Sequence, residues 1–329
     1  MKVEPRRTPQ VRLTAYHATW IACLCLILAS GVVFYLTKTS IEIDSLPPVA
    51  GIFCVMAGLH FFYTRWRPEQ RIGLITGGVA LISLAGLTAA ATALAALRTN
   101  TPLVDATVAH ADRLLGLDTL EFVAWVARHP LVGAALDFVY ISTVPMMFAC
   151  VVILAWLRRE ARMWELCFTF AGTVTICAVV SIFFPVIGSF EHLRVPPDIL
   201  ANLPNGAGRF YMPMFEAYRS GGLDKIDLQH MQGVVQFPSF HAIMALMIAH
   251  AFRGLRGKSF VRIWCALIMI SAIPIGGHYA IDLIAGSALW AAFALLAAML
   301  AAPSAEKSGR EVFDAPAANS RTARSGQPA

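Results

Sequence analysis

The sequence predicts an all-α fold, a polytopic membrane helix bundle with eight transmembrane helices. Three observations predict it. Of 329 residues, 57% are hydrophobic and only 14% are charged, which fits a chain that spends most of its length in lipid and not a water-soluble domain. Apolar runs near the roughly 20 residues that one bilayer crossing needs recur along the chain. Lys and Arg gather in alternate connections between those runs.

The elements follow in order. Residues 1–14 carry Lys2, Arg6, Arg7 and Arg12 and read as a cytoplasmic tail. The run 15–37 is too long for a signal-peptide core and lacks a small-x-small cleavage site, so it reads as a retained helix. With the shorter run 48–64 it makes a two-helix addition over 15–71. A core of six helices follows over 72–302, with runs at 72–97, 132–157, 163–186, 238–253, 261–277 and 279–302. Runs 238–253 and 261–277 are short, and a Gly-Gly-His turn separates the last two.

Two connections are long. In 98–131, Leu114, Leu117, Leu120 and Val123 recur at helical spacing among Asp112, Arg113, Asp118 and Glu121. It reads as an amphipathic connector on the membrane surface, without chemistry of its own. The connection 187–236 is longer than a link requires, and Pro196-Pro197, Gly206 and Gly221-Gly222 interrupt it, so it reads as a lid or binding loop. In the fourth run, Asp137, Tyr140 and Pro145 stand near the outer end, and Asp137 reads as a capped interfacial residue and not as lining of a substrate path. Residues 303–329 are rich in Ala, Ser, Gly, Pro and Arg and read as a disordered cytoplasmic tail.

Counting by side gives the orientation. With the amino terminus inside, 18 of the 26 Lys and Arg residues fall on the inner side, including Arg65, Arg158, Arg253 and Arg310. Eight fall outside: Lys38, Arg98, Arg113, Arg128, Arg194, Arg209, Arg219 and Lys225. Both termini are then cytoplasmic and the long connections face out. High alanine content and the lack of eukaryotic sorting signals point to a bacterial inner membrane. The net charge of +6 is accounted for by this pattern and does not call for nucleic acid. All seven cysteines lie inside apolar runs, so they read as packing residues and not as a disulfide framework.

Two histidines carry the functional reading. His241 lies in Phe237-Pro238-Ser239-Phe240-His241, and His278 follows 37 residues later in Gly276-Gly277-His278-Tyr279-Ala280-Ile281-Asp282. The run from Pro238 rises about 24 Å as a helix, and the run 261–277 returns, so both histidines reach the same outer face. His278 and Asp282 are four apart, which on a helix puts them on one face. Asp282 would then take the Nδ1 proton and leave Nε2 free as a nucleophile. Pro238 suits the first helical position, so the N–H groups of Ser239, Phe240 and His241 would form an anion site, with His241 giving a proton to a leaving oxygen. In-line attack on a phosphate ester through a phosphohistidine follows. His17, His60, His110, His129 and His250 read as packing or interfacial residues.

At these residues the chain resembles the type 2 phosphatidic acid phosphatase superfamily, whose membrane members carry K-x6-R-P, P-S-G-H and S-R-x5-H-x3-D. The second motif is similar to Pro238-Ser239-Phe240-His241, and the third to Ser271 with His278 and Asp282 at the family spacing. The resemblance implies that His278 is the nucleophile, Asp282 its orienter and His241 the general acid. It also implies the six-helix core, a lipid phosphate drawn from the membrane lipids as substrate, and no cofactor or metal. Phe240 in place of the motif glycine resembles the branch of inositol phosphotransferases and inositol phosphorylceramide synthases. Ala272 stands where the third motif has arginine, and the first motif is absent. Phosphoryl transfer needs positive charge against the phosphate oxygens. Arg219 and Arg209 are the first substitutes expected, ahead of Arg194 and Lys225. The expected substrate contacts are therefore Ser239, Phe240, Arg219 and Arg209.

Three other readings stay open. A non-catalytic lipid-binding or transport protein would explain the missing cations. His-x3-Asp with His241 as a third ligand is also a zinc spacing. An intramembrane serine protease built on Ser239 would lack the glycine-flanked elbow of such nucleophiles.

Overall fold

The computed structural model describes residues 14–301, so the expected tails at 1–14 and 303–329 lie outside it save for Thr14. About 72% of the described residues are helical, and among them no sheet forms a core. The helices are α1 (Ala15–Thr37), α2 (Leu46–Arg65), α3 (Gln70–Leu97), α4 (Asp105–Leu114), α5 (Thr119–Ala127), α6 (Pro130–Ile141) and α7 (Thr143–Trp156). They continue as α8 (Glu160–Phe183), α9 (Ser189–His192), α10 (Pro197–Leu200), α11 (Met212–Arg219), α12 (Phe240–Ala251), α13 (Lys258–Ser271) and α14 (Ala280–Ala301). Two-residue strands β1 (Ser40–Ile41) and β2 (Lys225–Ile226) pair in parallel and tie the α1–α2 turn to the long connection.

The apolar runs became helices where expected, but not all are long. Five helices have the length and hydropathy to cross a membrane: α1, α2 with the 3-10 turn before it, α3, α8 and α14. A sixth counts if α5 and α6, bent by 111° at their junction, form one span. The run 132–157 is split at Ser142 into α6 and α7. Helix α12 has only 12 residues, rising about 18 Å, against the 24 Å expected, because it starts at Phe240 and ends at Ala251. Helix α13 stops at Ser271, and a turn over 272–279 replaces its last expected residues.

Helices α3, α7, α8 and α12 share the main apolar core, with Leu81, Ile82, Met147, Val151, Phe170 and Ile243 buried together. α1 packs on α3 and α8, where the Ser30 and Thr92 hydroxyls share a hydrogen bond of 2.6 Å, so the N-terminal pair is joined to the core by a buried polar contact as well as by packing. Close approach of α12 and α14 depends on Gly286. A side chain there would stand 2.5 Å from the Ser239 carbonyl oxygen.

The connection 98–131 is not a surface connector. α4 lies against α14 and α9, and Asp105 and Asp112 on it are buried. The reason is that both carboxylates serve backbone donors of distant segments, as described next. The connection 187–236 is folded throughout, around the fully buried Tyr211, whose hydroxyl donates to the Ile187 carbonyl at 2.7 Å.

Candidate active site

The site assembles where α12 begins and the turn after α13 leads into α14. α12 is capped by Ser239, whose hydroxyl accepts from the Ala242 N–H at 3.4 Å. Pro238 therefore stands before the cap and not at the first helical position, as the sequence suggested. A serine at the cap supplies an acceptor that proline lacks. The Ser239 N–H is itself spent on the Asp282 carbonyl at 3.0 Å, which pins α12 to α14. Of the three amides expected to bind an anion, only those of Phe240 and His241 have no acceptor among the described residues.

His278 does not lie on a helix. It sits in the turn before α14, so its pairing with Asp282 is not the shared helical face that the spacing implied. Asp282 is the third residue of α14 and reaches back over the helix end. Its Oδ2 accepts from the Tyr279 N–H at 2.8 Å and lies 3.4 Å from His278 Nδ1. This is the carboxylate half of a capping box, with a histidine added to it. Both side chains are buried, and Asp282 Oδ1 has no partner among the described residues.

The His278 turn is gripped from outside itself. Ser189 donates to the Gly277 carbonyl through both its N–H (2.8 Å) and its hydroxyl (2.9 Å), and the Gly208 N–H donates to the Ile275 carbonyl at 2.6 Å. Gly277 has φ +76°, and a side chain there would meet the Gly208 carbonyl oxygen at 2.7 Å, so this crossing requires glycine. From α4, Asp112 accepts from the N–H groups of Ala280 (3.0 Å) and Ile281 (2.7 Å) and from the Thr119 hydroxyl (2.9 Å). Asp105 accepts from the N–H groups of Ile187 and Gly188 and from the Tyr279 hydroxyl. Burial raises the Asp105 carboxyl above its ordinary range, and those donors pull it part of the way back.

His241 and His278 converge. Their ring centroids are 6.1 Å apart, and both line one cavity of about 710 Å³. Tyr140 stacks on His241 with centroids 4.1 Å apart, its hydroxyl 3.3 Å from His241 Nδ1. Phe240 lines the same cavity and meets Phe170 edge to face at 5.3 Å. Ser239 is fully buried as the cap and is not part of the cavity wall. Neither expected cation reaches in. Arg209 pairs with Glu191, and Arg219 donates to the Thr101 carbonyl at 2.8 Å. Among the described residues, the wall contains no Lys or Arg. Among the described residues no cluster of three or more His, Cys, Asp or Glu is arranged to hold a metal ion.

Sequence reasoning missed three features. Asp137 lines the cavity and is not a capped interfacial residue, because α6 begins at Pro130 and places it two turns in. Tyr140, one turn further, holds His241. Asp105 and Asp112 were legible only as two acids seven apart on one helix face, beside the buried Val108 and Ala109.

Several apolar helices long enough to span a membrane, around one cavity that holds two histidines, are consistent with a multi-pass membrane protein. The family model of the PAP2 superfamily matches residues 106–296, and the chain belongs to that superfamily. No curated protein and no solved structure matched the chain.

Proposed function

We propose that this protein is a membrane lipid phosphatase or phosphotransferase that cleaves a phosphate ester through a phosphohistidine. The observation that carries the reading is the convergence of His241 and His278 on one cavity, with Asp282 behind His278. With its Nδ1 proton directed at Asp282, the His278 ring offers the Nε2 lone pair to phosphorus. The N–P bond forms as the ester P–O bond breaks, and His241 gives its proton to the departing oxygen. His241 then takes a proton from the incoming water or alcohol, whose oxygen displaces His278. Water makes the protein a phosphatase, and an alcohol makes it a transferase.

In this reading the chain crosses the membrane eight times, with α12 and α13 as short crossings. Residues 15–71 add two helices to a six-helix core over 72–302. Both termini are cytoplasmic and the site opens on the outer face, as the distribution of Lys and Arg favours. Phe240 in the second motif favours the inositol phosphotransferase-like branch.

The test uses purified full-length protein and a panel of lipid phosphates, with phosphate release and transfer to added alcohols both measured. His278→Ala and His241→Ala should each abolish both while the protein still inserts. Full turnover by inserted His278→Ala would sink the nucleophile assignment.

One observation favours a second reading. A wall without Lys or Arg fits a non-catalytic lipid-binding or transport protein on the same fold. Neither hydrolysis nor transfer on any substrate, with no protection by vanadate, would decide for it.

A further inference from the structure

The cavity is much larger than a phosphate group requires, and its shape carries the inference. From the two histidines it extends between α3, α7, α8 and α12 toward the middle of the bundle. Its wall on α3 runs from Ala90 to Ile82, and on α8 from Ala178 to Phe170, each a depth of about 12 Å. Below His241 the residues these four helices contribute are apolar except for Ser83, with Ile82, Met147, Phe170, Val174 and Met244 among them. An apolar well offers nothing to a polyol or a sugar, whose hydroxyls would lose their hydrogen bonds to water there. It suits hydrocarbon.

We propose that this well holds the hydrocarbon chain of the substrate and selects for its length. The proposal rests on the phosphatase or phosphotransferase reading and deepens it. The phosphate would sit between His241 and His278 with the chain pointing down the bundle. Ile82 and Phe170 are the lowest wall residues of α3 and α8, and the Phe170 ring reaches up across the well to Gly86 and Phe240. Gly86, one turn above Ile82, sets the width. A side chain at Gly86 would begin 3.7 Å from Phe170 Cζ, in ordinary contact, so a larger residue there is compatible with the helix and grows into the space. Leucine also favours a helix interior more than glycine does.

The experiment compares binding of straight-chain alkyl phosphates, from methyl phosphate upward, to the full-length protein in the His278→Ala background, where no turnover confuses the readout. Chains also partition into detergent, but equally for every variant, so ratios between variants remove that effect. Gly86→Leu should lower the preference for long over short chains by at least about tenfold, the loss expected when the new side chain takes the space of two methylenes. Phe170→Ala should shift the preference toward longer chains. Opposite shifts from two substitutions cannot come from misfolding. An unchanged chain preference in both variants overturns the proposal, and so does turnover by the unsubstituted protein that ignores chain length. A chain preference that shifts as stated, in a protein that releases or transfers no phosphate from any member, leaves the chain site standing and removes the phosphatase reading instead.

Discussion

Two helix starts meet at the site, and they are finished in opposite ways. The first turn of α14 is filled with protein acid: Asp112 takes the N–H groups of Ala280 and Ile281, and Asp282 takes that of Tyr279. The first turn of α12 has no acidic residue, and the N–H groups of Phe240 and His241 are left without an acceptor among the described residues. Both ends carry the positive pole of a helix dipole. Only one has it neutralised from within. A phosphate entering the cavity meets a carboxylate-saturated end on the His278 side and an open end on the His241 side. In the proposed mechanism α14 would hold the nucleophile and α12 the anion. The open end of α12 would bring positive charge to a cavity wall that has no Lys or Arg among the described residues.

The sharpest way to break this comparison is Asp282→Asn. The amide oxygen can still accept from Tyr279, so the helix end survives. The amide cannot serve His278 Nδ1 as a carboxylate does, which frees the ring to take the wrong tautomer. We expect turnover to fall on the order of 10³- to 10⁴-fold, the size of effect seen when an orienting aspartate is amidated in a triad, with the unfolding temperature little changed. Near-normal turnover would reduce Asp282 to a capping residue.

Next in size is Asp112→Ala. It removes the acceptor of two backbone N–H groups and the Thr119 hydroxyl in a buried place. Donors left unpaired there should cost roughly 3 kcal/mol, read as a lower unfolding temperature in detergent. Activity should fall with it, since the His278 turn leads directly into the two freed residues. A variant as stable as the parent would show that α14 holds its start without α4.

These two acids mark the limit of what the sequence displayed. Long apolar runs were legible because a membrane imposes one length scale on them, and α1, α3, α8 and α14 follow the expected runs within a few residues. The meeting of His241 and His278 was legible too, because a helix out and a helix back return the chain to its starting face. Pro238 suited the first helical position, but Ser239, one residue later, took the cap as an acceptor, so the helix begins at Phe240. The part played by Asp105 and Asp112 was hidden for a different reason. Their partners are amides of Ile187, Gly188, Ala280 and Ile281, far along the chain. A backbone N–H looks the same at every position in a sequence, so nothing marks the ones that need a carboxylate. Arg209 and Arg219 show the converse. Their charge was visible, but the Glu191 carboxylate and the Thr101 carbonyl that hold them away from the cavity were not.

The smallest effect is expected at the open end. Ser239 occupies a motif position that suggests contact with substrate, yet its hydroxyl caps Ala242 and its N–H binds the Asp282 carbonyl. Ser239→Ala deletes the cap and keeps the backbone bond between α12 and α14. Loss of a helix cap costs about 1 kcal/mol, so a modest drop in unfolding temperature should be the main result. The Phe240 and His241 amides do not depend on the hydroxyl, so the KM for a lipid phosphate should move far less than the stability does. A large rise in KM at unchanged stability would put the hydroxyl on the phosphate. The open end of α12 would then bind its anion through a side chain, and the contrast with α14 would lose its meaning.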